Sequence, residues 1–500
     1  MSPAIIITII IAYFCLLLAV AHFTSKGADN DSFFAGNRKS PWYLVAFGMI
    51  GASLSGVTFL SIPGWVGNAD NQFSYMQVVF GYFVGYMIVA YVLMPIYYRM
   101  NLTSIYTYLE DRFGFYAHKT GAIFFLGSRV LGASIRLLLV ANVLQAFLFD
   151  KLNVPFEVTV LLSIALIWIY TNKGGIKTII WTDTLQTFFM ITAVLVMAHI
   201  IAKELNIYDH GMVKTIAESQ YSRIFFLDDF SEKNYFWKHF LGGIFIAVGM
   251  TGLDQDMMQK NLSCKNIKDA QKNMVSFAAV LILVNLIFLG LGALLYMYAQ
   301  QTGVGLGVSG DQLFPTIALD SSTGLTIGIL FFVGLIAAAY SSADSALTAL
   351  TTSVSYDILS LDKLEPEKQM RFRKRIHLGV SLGLFLVIVL LKYTTSQSAI
   401  GAILFFAGFT YGPLIGMFFF GILTKRKPND KLIPYACGVA MTLSILLWYF
   451  SAGGPGVEEG QAGLLGHYKI GLEMIVFNAL FTFIALLAIS KNKILAAIAS

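Results

Sequence analysis

Hydrophobic and polar positions in this chain do not alternate with the period of a single amphipathic element. They form long apolar blocks separated by short polar ones, from residue 3 to residue 490. Blocks of this length predict helices that cross a bilayer. Thirteen are expected: 3 to 22, 42 to 66, 74 to 98, 117 to 149, 155 to 172, 179 to 203, 236 to 259, 275 to 300, 323 to 360, 376 to 392, 398 to 424, 431 to 451 and 468 to 490. The first block has no basic residue before it and is long enough to span, so it reads as a helix rather than a cleaved leader. The pattern predicts an all-α polytopic membrane protein.

Two blocks carry interruptions of their own. The block at 42 to 66 contains Gly48, Gly51, Ser53, Ser55, Gly56 and Thr58 halfway along, then Pro63 and Gly64. The block at 236 to 259 contains Gly249, Thr251 and Gly252, followed by Asp254 and Gln255. Such clusters predict either close helix contacts or unwound segments whose carbonyls face a ligand, because irregular backbone is tolerated in a membrane only where it is buried or lines a cavity. Two broken helices in corresponding positions mark an inverted repeat of five helices each, 42 to 203 and 236 to 424. The remaining chain divides into an N-terminal helix and inner loop (1 to 41), an extracellular connection with a short helix (204 to 235) and two C-terminal helices (425 to 500).

The ninth block holds the densest polar cluster. With Ala338 set at 0°, Ser341 falls at about 300°, Ser342 at about 40° and Ser345 at about 340°, on one helix face, while Asp344 flanks it at about 240°. That face suits a small hard cation, or else close helix packing in which each serine bonds back to its own helix. Asp183 reads as a helix-start carboxylate or as a cation or proton site. Arg129 and Arg136 lie two turns apart on nearly one face. Arg129 falls roughly mid-membrane and needs an anionic partner, either Asp344 or Asp183 within the protein or a substrate carboxylate.

Composition agrees with the pattern: 57% of residues are hydrophobic and 12% charged. The net charge of +6 is no nucleic-acid footprint, because the basic residues sit in short loops. Lys26, Arg38 and Lys39, then Arg99 and Arg112, Lys173 and Lys177, Lys260 and Lys265, the group from Lys363 to Arg375, and Lys491 and Lys493 all fall on one side if the N-terminus is outside and the C-terminus cytoplasmic. A plasma-membrane protein, the inner membrane in a bacterium, is expected. Its partners are a small-molecule solute and membrane lipid, with no nucleic acid and no obligate protein partner. Cys15, Cys264 and Cys437 are scattered and read as free thiols. The seven histidines, His22, His118, His199, His210, His239, His377 and His467, show no metal spacing or nucleophile pair, so no enzyme is expected.

Taken together, the run from Leu54 to Pro63, the run from Gly175 to Gln186 with Trp181-Thr182-Asp183, the Ser341-Ser342 helix, and Gly412-Pro413-Leu414 through Thr424-Lys425-Arg426 resemble the sodium:solute symporter family. The local match is to its bacterial sialic acid symporters. The resemblance implies a leucine-transporter type five-plus-five inverted repeat, alternating access driven by inward sodium movement, and sodium ion as the cofactor. By position it implies a shared sodium site from the carbonyls of Gly51, Leu54 and Ala338 and the hydroxyls of Ser341 and Ser342. A second sodium, present in some members, would use Asp183, Ser341 and Ser345. Asp344 stands where the sialic acid transporter has serine, and would strengthen that site, exchange sodium for a proton, or pair with an arginine. Ser53, Ser55 and Thr58 match hydroxyl positions of the broken helix, Arg129 matches the arginine that receives the substrate carboxylate, and Tyr75 and Gln77 fall near other contacts. Galactose-type members carry Glu-Gln at the positions of Val57 and Thr58, a pair this chain lacks. The favoured solute is an organic anion or acidic sugar such as sialic acid. The alternatives are a neutral sugar, an amino acid or a vitamin-like solute, and, in another class, a sodium-conducting channel or a sensor on the same fold, the latter needing an output domain for which the chain leaves no room.

Overall fold

The computed structural model describes residues 2–26, 33–34, 36–207, 211–308, 310–393, 399–458 and 460–491, with backbone alone at 172–174, 399 and 491. His210, Lys493 and the side chains of Lys173 and Lys491 lie outside the described residues. In chain order the helices are α1 (Pro3–Thr24), the pair α2 (Trp42–Ser53) and α3 (Gly56–Trp65), α4 (Tyr75–Arg99), α5 (Phe115–Leu152), α6 (Phe156–Thr171) and α7 (Gly175–Glu204). There follow the pair α8 (Phe236–Gly252) and α9 (Gln255–Leu262), then α10 (Ile267–Thr302), α11 (Leu325–Ile358), α12 (Pro366–Lys392), α13 (Ile400–Leu423), α14 (Asp430–Tyr449) and α15 (Met474–Ala488). Among the described residues nine helices are long and apolar enough to cross a membrane, and eleven spans result if each bent pair is one. Every expected apolar block has its helix among the described residues, and the count falls short of the expected thirteen because the fully described stretch of α6 and the whole of α15 are shorter than that measure requires.

Local chemistry sets the ends. The Asn266 side chain accepts from the Asp269 N–H to start α10, and Gly303, at φ +79°, closes it in the left-handed conformation. Both interrupted blocks are broken. The α2–α3 bend is 58° and the α8–α9 bend 64°. At the first, Leu54 (φ −85°, ψ 67°) and Ser55 (φ −64°, ψ 179°) leave the helical region. At the second, Asp254 is extended and its carboxylate caps α9 by accepting from the Asp256 and Met257 N–H groups.

Gly175 separates α6 from α7 with φ +50° and ψ −139°, where a side chain would also strike the Phe33 backbone. Since α7 begins there, Asp183 lies more than two turns inside it, beyond the first turn over which a helix dipole favours an anion. Its expected role as a helix-start carboxylate is therefore corrected.

The first break is pressed against two other helices. A Cβ on Gly51 would collide with the Thr187 hydroxyl of α7, and one on Gly56 would come within 2.6 Å of Val140 on α5. Phe59 fills the hollow above Gly334 of α11 and stacks on Phe314 with ring centroids 5.1 Å apart. On α11 every residue from Leu335 to Ser353 is buried. This removes the contrast between a polar face and its flank: Asp344 is as enclosed as Ser341. At one end of the bundle Ser40 N–H donates to the Ser263 carbonyl at 3.0 Å, and Lys427–Pro428 pairs antiparallel with Ser490–Lys491. The connection after α7 contains the short helix Met212–Ala217, as expected, and folds over the start of α4.

Candidate functional site

The broken segments, α4, α5 and α13 enclose a cavity of about 90 Å³. Ser53, Ser55 and Thr58 line it from the first break, Tyr75, Tyr82 and Tyr86 from α4, Arg129 and Arg136 from α5, and Thr251 from the second break. Of the six expected substrate residues, Ser53, Ser55, Thr58, Tyr75 and Arg129 thus share one cavity. Gln77 does not join them. It is fully buried, donates to the Asn234 carbonyl at 3.1 Å, accepts from the Phe226 N–H at 3.1 Å and meets His239 Nδ1 at 3.2 Å. Two residues along a helix is about 200°, which turns Gln77 away from the face that carries Tyr75.

The two arginines differ. Arg129 Nη2 bonds the carboxylate of Asp256, and Nη1 lies 3.9 Å from Asp254. Its partners are therefore the carboxylates at the start of α9, not Asp344 or Asp183. Arg136 has no ion pair among the described residues, and its Nε has no hydrogen-bond partner there. Asp254 is held in turn by the Tyr411 hydroxyl at 2.6 Å. The carbonyls freed at the second break are occupied: Gly252 accepts from Tyr97 at 2.9 Å and Leu253 from Tyr106 at 2.8 Å.

The first break is left open. Leu54 N–H donates to the Ile50 carbonyl and Phe59 N–H to the Ser55 carbonyl. Among the described residues no backbone donor outside a helix reaches the carbonyls of Gly51 or Leu54. Both residues are buried, as are Ala338, Ser341 and Ser342 across the α11 interface. Buried carbonyls without donors, beside buried hydroxyls, are what a desolvated hard cation needs. Ser342 also donates to the Ala339 carbonyl at 3.1 Å, which leaves its oxygen lone pairs free.

Behind this lies a second cluster. Asp183 Oδ1 accepts from Ser341 at 2.7 Å, and its Oδ2 lies 2.7 Å from Lys260 Nζ. Lys260 Nζ also donates to Ser345 Oγ at 2.7 Å and is 3.7 Å from Asp256. The lysine is 1% exposed. The tally of loop cations thus loses Lys260, which points into the protein from α9. A further unit cation about 4 Å from it would meet about 4 kcal/mol of repulsion at an effective dielectric of about 20. Asp344 accepts from the Tyr170 hydroxyl at 2.9 Å through Oδ2, while its Oδ1 has no hydrogen-bond partner among the described residues. Its partner is a tyrosine, not an arginine.

Residues 33–430 match the family described as the sodium:solute symporter family. The chain belongs to that family. The symporter is 26% identical to the sodium/sialic acid symporter NanT of Aliivibrio fischeri, over 88% of this chain and 86% of that one. It is 25% identical to the sodium/sialic acid symporter SiaT of Proteus mirabilis, over 93% of each. Human sodium-coupled monocarboxylate transporter 1 is 28% identical over 84% of this chain and 68% of its own length. A sodium-coupled sialic acid symporter in a substrate-bound, outward-open state shares the fold with a TM-score of 0.81 and 20% identity, covering 97% of this chain and 99% of that one. A nucleobase-cation-symport-1 family transporter shares it at 0.54 and 14% identity, over 92% and 94%. The fold is thus of the leucine-transporter type, and the protein is an integral membrane, sodium-coupled secondary active transporter rather than an enzyme. Sodium, expected as a cofactor, is in this family a co-transported substrate.

Several site residues of the symporter had faint signals in the sequence. Asp256 and Lys260 are spaced four apart, which on a helix places them on one side. The apolar block that contains the second break ends at Gln259, one position before Lys260, so the lysine was assigned to the loop. Arg136 was visible as a costly charge, but nothing in the sequence distinguishes it from Arg129. Tyr82, Tyr86 and Tyr170 sit in apolar stretches where tyrosine is unexceptional.

Proposed function

We propose that this protein imports a small organic anion, with an acidic sugar as the leading candidate, together with sodium by alternating access. The observation that carries the reading is the cavity in which hydroxyls of the first break and three tyrosines face a guanidinium, Arg136, that has no carboxylate partner among the described residues. A half-buried arginine with no ion pair among the described residues favours a planar anion that accepts two parallel hydrogen bonds. Arg129 is already matched by Asp256 and Asp254, so its place in the wall is to hold α5 against α9, and the substrate carboxylate goes to Arg136. The hydroxyl-rich lining suits a polyhydroxylated solute, and the sialic acid symporters among the relatives support it. Small-molecule pockets commonly measure about 300–1,000 Å³. At about 90 Å³ this cavity has to widen to admit a sugar, which domain rocking supplies.

Sodium sits between the carbonyls of Gly51, Leu54 and Ala338 and the hydroxyls of Ser341 and Ser342. There it ties the first broken helix to α11 and favours the outward-facing state, and solute binding and sodium binding strengthen each other by linkage. The two breaks support an inverted repeat of 42–203 and 236–424, and the loop charges support an external N-terminus and a cytoplasmic C-terminus. Uptake by proteoliposomes is the test. A panel of acidic sugars, monocarboxylates, neutral sugars and amino acids is offered under a sodium or a potassium gradient. Sodium-dependent, saturable uptake of an acidic member is expected; accumulation of neutral solutes alone would reject the anion, and current without coupled uptake would favour a channel.

A further inference from the structure

The Asp183 cluster is built like a cation site, and the cation in it belongs to the chain. The groups that the family resemblance assigns to a second sodium are Asp183, Ser341 and Ser345. Lys260 Nζ makes 2.7 Å contacts to Asp183 Oδ2 and to Ser345 Oγ, while Ser341 completes the shell through Asp183 Oδ1. Asp256, 3.7 Å away on the same helix turn, adds a second carboxylate to the ammonium. An ammonium and a sodium ion carry the same charge and attract the same oxygens at similar distances. They differ in that the ammonium is tethered.

We propose that Lys260 is a built-in replacement for the second sodium ion, so that this transporter binds and carries a single sodium per cycle. The inference rests on the sodium-coupled reading above and assigns its stoichiometry. Two features argue for it. Asp183 Oδ2 cannot hold an ammonium and a sodium at once without placing like charges side by side in a region sealed from water. The lysine also reaches from α9, the second arm of the second break, to α7 and α11, and so joins by a covalent arm the elements that an exchangeable ion would otherwise have to bridge. A charge that stays with the protein contributes nothing to net transport. A monovalent anion moving with one sodium is therefore carried without net charge, whereas two sodium ions would make the same cycle electrogenic.

The test counts sodium bound by the full chain in detergent without solute, using radioactive sodium alone, and then measures uptake against an imposed potassium-diffusion potential. One sodium per chain, with a Hill coefficient of about 1, is expected in the wild type; two would overturn the proposal while leaving sodium coupling intact. No sodium bound would overturn both this proposal and the symport reading. Lys260→Gln, which vacates the site, is expected to bind two, and a count that stays at one would overturn the assignment. Lys260→Arg keeps the charge and is expected to stay at one, with two again counting against the proposal. Should Lys260→Gln fail to fold, the wild-type and Lys260→Arg counts still decide. If the transported anion is monovalent, its uptake is expected to be independent of membrane potential, and uptake that rises with inside-negative potential would overturn the single-sodium cycle.

Discussion

Arg129 and Arg136 project from the same helix into the same cavity, yet Arg129 is bound by Asp256 and faces Asp254 at 3.9 Å while Arg136 has no carboxylate partner among the described residues. Their replacements are expected to fail in different ways. Arg129→Gln leaves Asp256 buried with only Lys260 nearby, and breaking such a pair costs about 3–5 kcal/mol, so loss of folded protein is expected. Arg136→Gln leaves no carboxylate stranded. It is expected to fold, to keep its sodium-induced rise in melting temperature and to lose at least tenfold in affinity for an anionic solute. Unchanged uptake by Arg136→Gln would return the substrate role to Arg129.

Ser342 is buried on α11, donates to the Ala339 carbonyl at 3.1 Å and belongs to the sodium site proposed above. Removing one hydroxyl from a buried cation costs about 1.5–3 kcal/mol, which is about ten- to a hundredfold in affinity. Ser342→Ala is therefore expected to raise the sodium concentration for half-maximal uptake by that factor, with solute affinity at saturating sodium unchanged. Sodium titration of proteoliposome uptake measures both, and an unshifted midpoint would remove Ser342 from the site.

The Tyr170 hydroxyl donates to the buried Asp344 carboxylate at 2.9 Å. Tyr170→Phe strands a buried carboxylate at a cost of about 1–3 kcal/mol. In an Asp344→Asn background the stranded charge is gone, so the same substitution is expected to cost less than half as much. A double-mutant cycle by thermal melting in detergent reads the coupling directly. Additive losses would mean that the two groups do not depend on each other.

Cys264, just past α9, is fully buried, and burial pushes its thiol up to about 12. In a Cys15→Ser, Cys437→Ser background its thiolate fraction at pH 8 is then about one in ten thousand. A raised pKa means that the neutral thiol is favoured in the folded state, so maleimide labelling is expected to be slow and to climb about tenfold per pH unit beyond pH 9, where an ordinary thiol of pKa about 8.5 levels off. A plateau below pH 9 would show the thiol to be exposed.

The sequence revealed the elements better than their partnerships. Long apolar runs and clustered Gly and Ser announced the helices and both breaks, because these depend on local backbone energetics and on transfer from water. Ser341 and Ser342 could be singled out for the same reason: hydroxyls in apolar surroundings need a partner wherever they sit. The partners themselves depend on packing. Lys260 and Asp183 are far apart in sequence, and no local rule tells a lysine at the end of an apolar block to turn inward. Gln77 fails in the opposite sense. Its neighbours Asn234 and Phe226 come from a connection whose course over α4 is set by tertiary contacts, and His239 comes from the first turn of α8.

The two breaks are related in position but have been finished differently. Tyr97 and Tyr106 stopper the carbonyls of the second, whereas among the described residues no such donor reaches those of Gly51 and Leu54 at the first. On the sodium site proposed above, discrimination between sodium, potassium and protons falls to one doorway, and evolutionary changes of ion preference have few positions through which to act.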